Sequence, residues 1–180
     1  IHELSQNIIN KVQNRFQKEY KPRDEIGILK RYSDITQVNM SKGNWLVLSS
    51  ANYFLDDAKD LCEIQGWYYQ YKGMNSVSLK LLLALNNWEA WRKGAFLNQL
   101  EIKNIYEYLG SSVVPGFQKG KTLHSDTKYT MEECQKDHGL IASDVWFKSF
   151  EGLDAMTETY IRNMRANGEE INKNPRIKMS

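Results

Sequence analysis

Apolar residues recur at helical spacing from the first position of the chain. Ile1, Leu4, Ile8, Val12 and Phe16 share one stripe of an amphipathic helix over residues 1–20. Pro22 and its polar neighbours end it. Gly27–Tyr32 reads as a strand, and Ser41–Asn44 as a polar turn. The run Trp45-Leu46-Val47-Leu48 is continuous and of strand length, the pattern of a strand covered on both faces. Asn52 stands where a helix cap stands. Phe54, Ala58, Leu61 and Cys62 form the buried stripe of the next helix, and Gly66 is its stop signal. Trp67–Tyr71 is aromatic and β-prone. Strand, short helix and strand in close succession predict a βαβ unit, and hence a parallel sheet.

The pattern changes after Gly73. Residues 77–91 are helical, with Leu81, Leu85 and Trp88 on one face, and Ala95–Leu109 is a second helical stretch. Residues 110–128 form a loop rich in Gly, Ser and Lys. Further helices are expected at 130–138, 143–150 and 152–167, the last with Leu153, Met156, Tyr160, Ile161 and Met164 as its stripe and Gly168 as its end. Pro175 precedes a final strand, Arg176–Ser180. A helical block between strands of one parallel sheet reads as an insertion. Ile1 opens in mid-helix without an initiator Met, and the last strand stops short, so both ends are expected to be cut from a larger protein.

Composition narrows the class. The 180 residues are 41% hydrophobic, 26% charged and 12% aromatic, with a net charge of +2. These are values of a globular chain with a sizeable core. The longest apolar run, Leu81–Leu85, is too short to span a bilayer, and no signal-peptide pattern opens the chain. Two cysteines, Cys62 and Cys134, make no disulfide framework and fit a reducing, cytoplasmic setting.

Candidate chemistry is sparse. Gly116-Phe117-Gln118-Lys119-Gly120-Lys121-Thr122 imitates a phosphate loop, but the pattern G-x-x-x-x-G-K-S/T needs Gly where Pro115 stands, and no apolar helix follows. The segment reads as a basic surface loop in which Lys119 and Lys121 can touch a nucleic-acid backbone. Cys134 and His138 have i, i+4 spacing, yet no C-x-x-C or H-x-x-x-H pair completes a metal site with His124 or Cys62. Cys62 reads as a small core residue. Asp56 and Asp57 sit where carboxylates favour the positive end of a helix dipole. Lys11, Arg15 and Lys18 flank the apolar stripe of the first helix, with Lys21 and Arg23 beyond. They form either a solvated face on buried aliphatic stems or a phosphate contact. Trp45 and Trp88 read as core, whereas Trp67, Tyr68, Tyr69 and Tyr71 alternate across a strand and leave one face for exposure.

The segment from Asn44 to Gly73, NWLVLSSANYFLDDAKDLCEIQGWYYQYKG, resembles a strand-helix-strand segment of the second RecA-like domain of UvrD/Rep/PcrA-type superfamily 1 DNA helicases. There a strand ends in L-x-R-S/T-N, a helix begins near L-D/E-D/E, and a second strand leads to Gly. Here the same positions read Leu48-Ser49-Ser50-Ala51-Asn52, Leu55-Asp56-Asp57 and Gly73. Residues 1–16 resemble the helix after the family's Y-R-x-P-type motif. Residues 160–180 resemble the approach to the motif T-I/L-H-x-x-K-G. Ser50 replaces the family's Arg and Ala51 its Ser or Thr, so only Asn52 matches there.

The resemblance implies an α/β fold: a partial RecA-like parallel sheet (residues 1–75), an inserted all-α accessory subdomain (76–170), and a strand returning to the sheet (171–180). It implies a parent that is an ATP-dependent 3′-to-5′ DNA helicase using ATP and Mg²⁺, with both bound outside this chain. The chain alone is then expected to be catalytically inactive and to bind neither. Its expected partners are single-stranded or partly duplex DNA and the parent's other domains, with no membrane. Ser50 and Asn52 are the implied DNA contacts, joined by the basic residues Lys11, Arg15, Lys18, Lys119 and Lys121. The alternative is a stand-alone nucleic-acid-binding or protein-interaction α/β module without motor activity.

Overall fold

The computed structural model describes residues 2–12, 27–116, 119–141, 143–170 and 174–180. Residues 1–38 and 39–180 form two compact units. Among the described residues the chain is mixed α/β, with seven α-helices, a four-stranded mostly parallel sheet and a separate two-stranded pairing.

In the first unit, helix α1 (His2–Ile9) gives way to a turn at Asn10–Lys11, shorter than the periodicity predicts. Ile1, Arg15, Phe16, Lys18, Lys21 and Arg23 fall outside the described residues. The strand expected at Gly27–Tyr32 is absent: the segment carries no ladder, and Ile28, Leu29 and Tyr32 are exposed. β-prone residues make a strand only where a partner edge receives them, and no described strand pairs with these. A 3-10 turn, Ile35–Gln37, closes the unit, capped by the Asp34 carboxylate on the Thr36 N–H at 2.7 Å.

In the second unit, β1 (Trp45–Val47) leads through a 3-10 turn (Asn52–Leu55) into α2 (Asp56–Gln65), then to a hairpin of β2 (Tyr69–Tyr71) and β3 (Met74–Asn75). After the helical block the chain returns as β6 (Ile177–Met179), which lies parallel to β1 on one side and to β2 on the other. The sheet order is therefore β1-β6-β2-β3. The predicted βαβ unit is parallel, but its two strands are separated by the last strand of the chain.

One sheet face is buried. Ile177, Met179 and Tyr69 are buried, the Tyr69 hydroxyl donating to Glu63 of α2 at 2.6 Å and its ring lying 6.3 Å from Tyr160 of α7 (Ala155–Ala166), while Lys178 alternates to the other face and is exposed. The expectation that Trp45–Leu48 is covered on both faces fails: Leu46 is 64% and Leu48 69% exposed. Asn52 does not cap α2 either. The Ser49 hydroxyl donates to the Ala51 carbonyl at 3.0 Å, and Asn52 opens the 3-10 turn. That turn swings Phe54 off the buried stripe into solvent, leaving Ala58, Leu61 and Cys62 as the buried residues of α2.

Gly66 ends α2 with φ 66°, its N–H on Glu63 O and the Trp67 N–H on Cys62 O. This left-handed cap suits glycine. A Cβ at Gly66 would also lie 2.5 Å from the Asn163 backbone, so the missing side chain lets α7 close on α2. Tyr160 completes the joint, its hydroxyl donating to Trp67 O at 2.9 Å and lying 2.7 Å from Ser76 Oγ.

The helical block begins with α3 (Leu79–Arg92), capped by Ser78, whose hydroxyl accepts from the Leu81 N–H. Strand β4 (Leu97–Asn98) runs into α4 (Gln99–Tyr106) through an Asn98/Glu101 capping box. Strand β5 (Lys128–Tyr129) pairs antiparallel with β4 and leads into α5 (Met131–Asp137) through a Thr130/Glu133 capping box. Helix α6 (Trp146–Ser149) precedes α7. The strands β4 and β5 are absent from the sequence reading, being too short to show a period. Trp88 and Trp91 are fully buried and meet edge-on at 6.2 Å. Each indole N–H donates to a backbone carbonyl at 3.0 Å, Trp88 to Asp144 in the loop before α6 and Trp91 to Tyr129 in β5. The loop before α6 and strand β5 are thereby pinned to α3, and both indole donors are paired. In α7, Met156 leaves the predicted stripe and is exposed, whereas Tyr160, Ile161 and Met164 are buried.

Candidate nucleic-acid interface

Parallel strands end on the same edge of a sheet, and loops that leave this edge are where α/β sheets hold ligands. Here that edge collects Leu48–Phe54 after β1, Ser180 after β6 and Lys72 after β2. Two hydrogen bonds fix the first loop to the last residue of the chain: the Ser49 N–H donates to Ser180 O at 3.2 Å, and the Ser180 N–H donates to Val47 O at 3.1 Å. Ser50 and Asn52 are exposed on this loop. Tyr53 and Phe54 follow, 66% and 56% exposed, with ring centroids 4.1 Å apart. Exposed paired aromatics beside amide and hydroxyl groups offer both stacking and hydrogen bonding to an unpaired base.

At the end of β2, two ammonium groups converge on one ring. Lys59 Nζ on α2 lies 5.1 Å and Lys72 Nζ 5.3 Å from the centroid of Tyr71, both within cation–π range. Lys59 also pairs with Asp56 at 3.2 Å. Among the described residues Lys72 has no ion pair. Sequence reading missed Tyr53, Phe54, Lys59, Tyr71 and Lys72 as a group, because only the parallel arrangement of the strands brings residues 48–59 and 71–72 to one edge.

Lys11 is exposed in the first unit, and Arg15 and Lys18 fall outside the described residues. Lys119 and Lys121 belong to the helical block. Lys119 is half-buried and donates to Leu109 O at 2.6 Å, which ties it into the loop, whereas Lys121 is exposed. No helix starts after Thr122, so the Gly120-Lys121-Thr122 segment lacks the helix N-terminus that a phosphate loop uses.

A cleft of about 360 Å³ lies at the opposite, amino-terminal edge of the sheet, lined by Asn44, Tyr68, Asn167, Glu169, Asn174 and Arg176. Among the described residues its one cation is committed. The Arg176 guanidinium pairs with Glu169 at 2.5 Å and donates to the Met40 and Gly43 carbonyls. This clasp joins the loop before β1 to the end of α7.

Redox and metal chemistry find little support among the described residues. Cys62 and Cys134 are buried free thiols, and burial pushes Cys62 up to about 12 and Cys134 up to about 11. Thiols that stay protonated are poor nucleophiles and poor ligands. His138 instead lies 2.7 Å from Thr122 Oγ1 and edge-on to Tyr129. No group of three His, Cys, Asp or Glu that could hold a metal occurs among the described residues. Nor is any described helix long and apolar enough to cross a membrane. No family model, no curated protein and no solved structure matches this chain.

Proposed function

We propose that this chain is part of an ATP-dependent 3′-to-5′ DNA helicase, forming a share of its second RecA-like domain together with a helical insertion. The observation that carries the reading is the place of β6. After an excursion of helices and loops, the chain re-enters the sheet between β1 and β2, parallel to both. An insertion into a parallel sheet has this topology. The exposed loop with Ser50 and Asn52 at the carboxyl edge then forms one wall of the single-strand track. ATP and Mg²⁺ are held by other parts of the parent, in keeping with a Gly120-Lys121-Thr122 segment that opens no helix.

The test is binding of a fluorescein-labelled oligo-dT by the 180-residue chain, followed by anisotropy across a salt series, with ATP turnover measured alongside. The expected result is sequence-independent binding with Kd on the order of 10⁻⁴–10⁻⁶ M that weakens with salt, and no ATP turnover. Asn52→Ala weakens it further. Robust ATP hydrolysis by the pure chain, or no binding at low salt, overturns the proposal. The rival, a self-contained binding module, draws on α7, which packs on α2 and also reaches α3 and α6 through Arg165. Salt-insensitive, sequence-specific binding would favour it.

A further inference from the structure

We propose that the β2–β3 hairpin tip is a phosphate-binding station for single-stranded DNA, with Lys72 and Lys59 as the contacting cations and Tyr71 as the residue that positions them. The inference rests on the nucleic-acid reading above and adds residues that the family resemblance does not mark.

Tyr71 pairs with Met74, so Lys72 and Gly73 form a two-residue hairpin loop. Both have positive φ, 48° and 82°. This is the pattern of a type I′ turn, whose favoured sequence is Asn-Gly or Asp-Gly. Lysine at the first position is unfavourable: it is the one non-glycine residue with positive φ among the described residues. A local rule broken at a surface turn points to a side chain kept for another purpose.

What that side chain does is visible at its far end. Its ammonium stands over Tyr71 with a second ammonium from α2, and Asp56 offsets only the second. Like charges converging on one ring leave an electropositive point that a bridging anion relieves. The backbone is also held in place, since the Lys72 N–H donates to Met179 O at 3.0 Å. The cation is thus presented from the end of β2, an inner strand, rather than from a loose loop. The same sheet edge carries Ser50, Asn52, Tyr53 and Phe54, so a strand running along it meets base-contacting groups at one end and a cationic point at the other.

The experiment is the salt dependence of oligo-dT binding by Lys72→Asn, compared with the wild-type chain and with Lys148→Gln, which removes an equal charge from the helical block. Asparagine suits the turn, so thermal stability should stay the same or rise. Binding should weaken several-fold, and the slope of log K against log salt should flatten by about 0.7, the loss of one phosphate contact. Lys148→Gln should leave the slope unchanged. Tyr71→Phe, which keeps the ring, should retain the wild-type slope, and Tyr71→Leu should lose it. Unchanged affinity and slope in Lys72→Asn, against a wild-type chain that binds, overturns the hairpin station while leaving the helicase proposal intact. A wild-type chain that does not bind overturns both.

Discussion

The helical block closes its core, whereas the described residues leave part of one sheet face open. In the block, Trp88, Trp91, Ile102 and Ile105 are fully buried, and both indole N–H groups have partners. In the sheet, α2 and α7 cover one face, while the row Leu46, Lys178 and Gln70 lies in register on the other, with Leu46 and Lys178 exposed. The difference teaches where specificity can reside. A closed core fixes shape and offers nothing to a partner. An open face with a polar, aromatic and cationic edge offers contacts at little cost to the fold.

Substitution should break the block far more readily than the sheet. The largest effect is expected from Trp91→Ala, which empties a fully buried site and leaves the Tyr129 carbonyl without its donor. A loss of about 3–5 kcal/mol is expected in urea denaturation. A loss below ~1 kcal/mol would show that the block is not held by this tryptophan pair.

The joint between the two regions comes next. Gly66→Ala places a Cβ against the Asn163 backbone and forces alanine into a left-handed conformation. The clash is with backbone, so no rotamer relieves it, and a loss of about 2–4 kcal/mol is expected. Gly43, also at positive φ but with open space around it, serves as the control. Gly43→Ala should cost about 1 kcal/mol, from conformation alone. Equal losses at the two sites would show that α7 does not close on α2 through Gly66.

A smaller effect, visible only in acid, is expected at the start of α7. The Thr157 N–H and then its hydroxyl, both donating to the Asp154 carboxylate, hold that carboxyl below its ordinary value. A depressed folded pKa contributes stability above the unfolded pKa, near ~3.9, and the contribution fades as pH falls through the folded value. Asp154→Asn keeps a good cap but cannot titrate. Its stability should therefore fall less steeply than the wild type's below about pH 4. Parallel acid limbs would remove Asp154 from the account.

The same contrast explains what could be read from the sequence. Helix α3 was legible because Leu81, Leu85 and Trp88 recur at helical spacing, and the ends of α2 and α7 because Gly66 and Gly168 sit just past the last apolar residue. The closing strand was legible as a strand after Pro175, and the helical block before it as an insertion between strands of one parallel sheet. Two-residue strands such as β4 show no period, so their pairing was invisible. The turn at Lys72-Gly73 lacks the Asn that announces such turns. Of the candidate site, Ser50 and Asn52 came from the resemblance, whereas Lys59, Tyr71 and Lys72 needed the topology. Leu46 and Leu48 were misread because burial depends on what packs over a face, and a run of apolar residues does not encode its cover.

That misreading yields the smallest and most discriminating test. Leu46 sits at the middle of β1, paired with Lys178, and is 64% exposed. Thr is β-branched and keeps the strand preference while removing most of the apolar surface. If the face is open in solution, Leu46→Thr should change the stability of the 180-residue chain by no more than about 0.5 kcal/mol, as surface substitutions do. If another surface covers it, the lost burial should cost about 1.5–3 kcal/mol, and the cost should depend on protein concentration when the cover is a second copy. A chemical-denaturation series at two protein concentrations separates the outcomes. A large, concentration-independent loss would mean that the face is covered from within the chain, and the contrast between a closed block and an open sheet would fall.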